Sequence, residues 1–106
     1  HPLVSQVVLL GDQRPYVAAL ITIDEELAPL WAERQGTALT PAAIRAELES
    51  LVGAVNRGLA RYERIKRFEI VDEDLSVEAS TLTPSLKVRR RAVAERYAEV
   101  IERLYA

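Results

Sequence analysis

The chain has 106 residues, no cysteine, no methionine and a single histidine. Without cysteine there can be no disulfide, no thiol nucleophile and no thiolate metal site, a composition that fits a reducing compartment. The one histidine is His1, at the very start, and it is assigned no chemical role. A Ser/His/Asp arrangement is therefore ruled out, and no Gly-rich phosphate loop of either common spacing is present. The acidic run Asp72-Glu73-Asp74 lacks the spacing and glycine of a calcium loop, so no metal site is expected. Aromatics make up only 6% of the chain and are not interleaved with the basic residues. That, with a net charge of −2, argues against the stacking platforms and basic field of an RNA-binding surface. No apolar run approaches the roughly 20 residues needed to cross a bilayer, and no signal peptide is visible. The first residue is not Met, and the sequence reads as part of something larger.

What is present is enough for one globular domain: 49% hydrophobic and 28% charged residues. Leu3 to Leu10 is a short, β-branched run between Pro2 and Gly11, and reads as a buried strand. Gly11 to Pro15 is turn chemistry, and Tyr16 to Ile23 is a second strand, making a hairpin. Asp24 can cap a helical turn that Pro29 interrupts, with a restart running to a stop at Gly36. Trp31, the only tryptophan, reads as a core aromatic. Thr40-Pro41 is a helix start, and Ile44, Leu48, Leu51, Val52, Val55 and Leu59 follow at helical spacing. Phe68 to Val71 alternates as a third strand. Val93, Tyr97, Val100, Ile101 and Leu104 mark the inner face of a closing helix.

The expected fold is α+β: a small three-stranded, mainly antiparallel sheet with helices packed on it, in the order β-β-α-α-β-loop-α. The first strand is read as the most continuously apolar and is expected in the centre. The two-helix crossover makes the second and third strands parallel to each other, one on each side of the first.

Positive charge is carried by arginine, with Lys66 and Lys87 the only lysines. Lys87 follows a run of turn-forming residues, Thr81 to Ser85, and precedes Arg89, Arg90 and Arg91 at a helix start. Residue types alone read this as a solvated basic face. The basic end of the second helix, Arg57 with Arg61 and Arg64, is a candidate for binding phosphate through the planar guanidinium fork, although cations at a helix C-terminus need no ligand to explain them.

Three stretches carry a resemblance. Thr81-Leu-Thr-Pro-Ser-Leu-Lys-Val-Arg-Arg-Arg91 is similar to the terminal signature of AMP-forming acyl-CoA ligases, the long-chain fatty-acid branch in particular. Gly11-Asp-Gln-Arg-Pro-Tyr-Val-Ala-Ala-Leu-Ile21 resembles that family's hairpin motif, and Tyr62-Glu-Arg-Ile-Lys-Arg-Phe68 its Tyr-Glu-x-Ile-Lys segment. The likeness covers residues 1–106 as the small C-terminal lid domain. Many relatives outside the long-chain branch have Gly where Leu86 stands here. The resemblance implies a ligase that joins a fatty acid to ATP, giving acyl-adenylate and pyrophosphate, and then passes the acyl group to CoA after the lid rotates. It implies that Lys87 is the adenylation lysine and that Arg57, Arg61 and Arg64 are candidate contacts for the CoA phosphates. It places Mg2+, the ATP loop, the acyl tunnel and the hinge in an N-terminal adenylation domain, the partner of this one, so that these residues alone bind no cofactor and are inactive. The parent enzyme is expected in the cytoplasm, with peripheral membrane association as an option. The competing reading is a small RNA-binding or regulatory module using the basic patches.

Overall fold

The computed structural model describes residues 3–11, 14–71, 82, 84, 85 and 88–106. Its elements are β1 (Val4–Leu10), β2 (Val17–Ile23), α1 (Ala28–Gln35), α2 (Pro41–Arg57), a single tight helical turn (Arg61–Glu63), β3 (Ile65–Val71), α3 (Arg90–Arg96) and α4 (Ala98–Leu104). The fold is α+β, and the element order is the expected one except that a single helical turn precedes β3 and the closing helix is divided into α3 and α4.

The strand order differs from expectation in one respect. The sheet runs β1-β2-β3, so β2, not β1, is central. β1 pairs antiparallel with β2, and β2 pairs parallel with β3, which makes the sheet mixed. The physical reason lies in the side chains. β1 contains Ser5 and Gln6, and its Val7 and Leu9 are each 48% exposed. β2 is buried without a break from Ala18 to Thr22. A strand covered on both faces reads as one continuous apolar run, whereas an edge strand tolerates alternation. Ala18 and Ala19 are both fully buried, whereas Ser5 and Gln6 interrupt the apolar run of β1, so the continuous run is that of β2.

Helices cover both faces of β2. On one face Ala19, Ile21 and Phe68 form a cluster with Leu48 of α2, which is fully buried. On the other, Val8, Ala18, Leu20 and Val71 pack with Val93, Ile101 and Leu104 of α3 and α4. Trp31 is buried against Leu3, Ala28 and Ala32, as a core aromatic should be. Val55 is the departure from the expected α2 face, being 48% exposed.

The helix boundaries follow local chemistry. Asp24 Oδ1 accepts from the amides of Glu26 and Leu27, each at 3.0 Å, capping a turn that precedes α1. Pro29 then falls in the first turn of α1, where its missing N–H costs nothing. Gly36 ends α1 at φ 67°, in the left-handed region that glycine enters without penalty. Thr40 caps α2 by accepting from the Ala43 amide at 3.1 Å, with Pro41 next to it. Among the described residues no helix is long and apolar enough to cross a membrane.

Candidate functional site

Two of the three sequence motifs meet in space. The β2–β3 register pairs Val17 with Ile65, which brings the residues just before each strand to the same end of the sheet. There Pro15 and Tyr16 from the hairpin face Arg61, Tyr62, Arg64 and Lys66 across a groove of about 360 Å³. Of the candidate phosphate contacts, Arg61 and Arg64 lie in this groove and Arg57 does not; it is the exposed last residue of α2. Pattern reading missed Lys66, Tyr62, Tyr16 and Pro15. The signal was available: all four sit inside the quoted motifs.

The groove brings three cations and an aromatic ring together. Arg61, Arg64 and Lys66 are exposed, and among the described residues none of the three is in an ion pair. Arg64 is partly ordered, since its Nε donates to the Leu59 carbonyl at 3.2 Å and leaves the terminal nitrogens of its fork for other acceptors. Tyr62 is 82% exposed, an aromatic face left largely open.

Neighbouring side chains hold both walls. Asn56, near the end of α2, accepts from the Ile65 amide and donates to the Ile65 carbonyl, both at 2.8 Å. It stands where another strand would stand and fixes the start of β3. The hairpin wall is held from the C-terminal end. Tyr105 Oη lies 3.0 Å from the carbonyls of Leu10 and of Tyr16, and Tyr16 Oη donates to the Leu104 carbonyl. The two rings are 4.9 Å apart, and the Arg14 guanidinium lies 4.8 Å from the centre of the Tyr105 ring. Burial pushes the Tyr105 phenol above its ordinary value; the Arg14 cation opposes this, nearby Tyr16 adds to it, and hydrogen bonding at the Ala18 main chain opposes it.

Lys87 lies outside the described residues, as does the acidic run Asp72 to Asp74. The flanks of Lys87 are described. Leu82 and Val88 form an isolated antiparallel bridge, with Pro84 and Ser85 in the turn between them. Leu82 packs against the Val8–Leu20–Val93 cluster. Arg90, expected on a solvated basic face, is instead engaged: its Nη1 donates to the Leu9 carbonyl of β1 at 2.9 Å. Arg91 keeps to the surface and pairs with Glu95 at 3.6 Å.

This sequence matches the AMP-binding enzyme C-terminal domain family over residues 1–106. The chain belongs to that family. The long-chain-fatty-acid–CoA ligase FadD15 of Mycobacterium tuberculosis is 37% identical over 113 residues, covering 99% of this chain and 19% of its own length. The human long-chain-fatty-acid–CoA ligase 6 is 30% identical, covering 97% of this chain and 16% of its own. Among solved structures, the A-PCP didomain of carboxylic acid reductase from Segniliparus rugosus, in complex with AMP, superposes with a TM-score of 0.72 at 29% identity, covering 98% of this chain and 14% of that one. This AMP-binding C-terminal domain thus spans less than a fifth of the length of the curated relatives it matches.

Proposed function

We propose that the domain serves a long-chain fatty-acid–CoA ligase, an ATP-dependent, AMP-forming enzyme whose larger part is the adenylation domain that this one partners. The observation that carries this reading is the 37% identity to a ligase of that name across 99% of the chain. In this reading Lys87 assists adenylation. A fatty carboxylate must approach the α-phosphorus of ATP, and the two anions repel. One ammonium placed between them offsets the repulsion and follows the charge as it builds. Its three donors can converge on carboxylate, phosphate and ribose oxygens from a single nitrogen. Mg2+ would be held by the partner domain and would offset charge on the triphosphate.

The second half-reaction, in this proposal, presents another face after the lid rotates. The groove of Arg61, Arg64 and Lys66 then receives the nucleotide end of CoA, its phosphates meeting the cations and its adenine stacking on Tyr62. Arg57, outside the groove, is a weaker candidate for that contact. A regulatory RNA-binding role draws less support, because the exposed aromatic and cations occupy one short groove rather than a path along the surface.

The test uses the full-length enzyme. Lys87→Ala should slow ATP-dependent pyrophosphate release by about two to three orders of magnitude, as loss of a preorganised donor does. Thioester formation from supplied acyl-adenylate and CoA should survive far better. Arg64→Ala should show the reverse pattern. Equal losses in both half-reactions for each variant would defeat the division of labour.

A further inference from the structure

We propose that Arg90 is a positioning residue for Lys87, tying the base of the lysine loop to the end of strand β1 and so fixing where the ammonium is presented. The inference rests on the reading of Lys87 as the adenylation lysine. Lys87 immediately precedes Val88, and Val88 is one half of the bridge that closes the loop. A lone bridge is a weak closure, since even a two-stranded hairpin is marginal by itself. The loop base therefore needs anchors on both sides. The Leu82 side has one in its packing on the core. On the Val88 side the described residues give less: Val88 is 37% exposed, and Arg89, at the cap position of α3, makes no side-chain capping bond.

The start of α3 is also electrostatically unfavourable. Arg90 and Arg91 open the helix behind Arg89, with no acidic residue in the first turn. Cations there oppose the helix dipole, which favours negative charge at that end. A helix start that lacks a cap and carries charge of the wrong sign is held from elsewhere, and the described contacts show where. Val93, one turn on, is almost completely buried, and the Arg90 guanidinium reaches across 81 residues of sequence to the Leu9 carbonyl. β1 is an edge strand, so a carbonyl at its end is available to a side chain. A local rule broken with a specific long-range compensation is a pattern expected beside a functional group.

The experiment uses the full-length enzyme with Arg90→Ala, Arg90→Lys and, for comparison, Lys87→Ala. A misplacement of about 1 Å can cost roughly a hundredfold, so Arg90→Ala should lower kcat for pyrophosphate release by about ten- to a hundredfold. Its KM values for ATP and fatty acid, and its rate with supplied acyl-adenylate and CoA, should stay within about twofold. The melting temperature should fall by only a few degrees, as loss of one exposed hydrogen bond allows. Arg90→Lys should recover most of the loss, because one ammonium can still donate to one carbonyl. Amide hydrogen exchange, read by mass spectrometry on the peptide spanning residues 82–92, should quicken in Arg90→Ala and return in Arg90→Lys. The proposal fails if Arg90→Ala leaves adenylation and exchange unchanged while Lys87→Ala is impaired. It fails equally if both half-reactions fall together with a melting temperature lowered by more than a few degrees, the mark of a merely structural role. Normal adenylation in Lys87→Ala would instead remove the reading of Lys87 on which the proposal stands.

Discussion

Replacing Asn56 by Ala tests the side chain that stands in for a strand at the start of β3. The change removes two hydrogen bonds of 2.8 Å, one to the amide and one to the carbonyl of Ile65. A typical intramolecular hydrogen bond contributes about 0.5–1.5 kcal/mol net, so the pair is worth about 1–3 kcal/mol. Both the bonds and Ile65 are partly buried, so water reaches the freed groups in part and moderates the loss. Alanine also suits a helix better than asparagine by roughly 0.5 kcal/mol, and position 56 lies within α2. The expected net loss is therefore about 1–2 kcal/mol, or roughly 4–8 °C per kcal/mol in melting temperature for a domain near this size. Asn56→Asp separates the two bonds. It keeps the acceptor for the Ile65 amide but sets a carboxylate against the Ile65 carbonyl, and should be at least as destabilising as alanine. Urea unfolding of the isolated domain measures both, read from the midpoint at unchanged slope. If Asn56→Ala stays within about 0.5 kcal/mol of the parent, or Asn56→Asp is as stable as the parent, the strand-mimicking role is wrong.

Other outcomes follow from the same geometry. Gly53 lies inside α2 with nothing within 4 Å of where a Cβ would stand, so Gly53→Ala should stabilise the domain by up to about 1 kcal/mol in the same urea assay. The raised Tyr105 phenol holds its proton more tightly in the folded than in the unfolded chain. Its contribution is whole below the ordinary tyrosine value near 10 and fades as pH climbs through the folded value, so alkaline unfolding monitored by circular dichroism should lose part of that steepness in Tyr105→Phe. Lys87→Arg in the full-length enzyme should release pyrophosphate nearly as poorly as Lys87→Ala, because the fixed guanidinium fork cannot converge on several oxygens from one nitrogen; near-normal release would mean that net charge alone is what the loop supplies.

Local chemistry was the legible part of the fold. Thr40-Pro41 opens α2 and Gly36 closes α1 because capping depends on residues a few positions apart. The shared direction of β2 and β3 followed from the two-helix crossover between them, but their pairing did not, since both were expected beside β1. The strand order was misread because the run Leu3 to Leu10 was taken as continuously apolar; Ser5 and Gln6 break it and Val7 and Leu9 are half exposed, while Ala18 and Ala19 in β2 are fully buried. The closing helix read as continuous but divides at Tyr97, the residue between α3 and α4, and its apolar spacing carries across the division. In the candidate site, Arg61 and Arg64 were found by charge and Lys66 lies two residues on, but Pro15 and Tyr16 join them only through strand register. The partners of Asn56 and Arg90 left no mark on the sequence. Each of these two residues is an ordinary polar one whose meaning comes from a main-chain group far away in the chain, and periodicity carries no such information.

The carbonyls of Leu9 and Leu10 are adjacent in the chain, yet they hold opposite ends of the last helical segment, Arg90 at its start and Tyr105 at its finish. These bonds close loops of 81 and 95 residues. Loop-closure entropy must be met before such contacts return anything, so they are expected to form late in folding, after the hairpin and α2 have assembled from nearer partners. Contacts that form after the transition state hold a protein together by slowing its unfolding, with little influence on how fast it folds. The end of β1 therefore acts as a latch on the lifetime of the native domain: loosening it lets α3 and α4 lift away from the Val8–Leu20 face sooner, while the remaining hairpin and α2 reform at their usual rate.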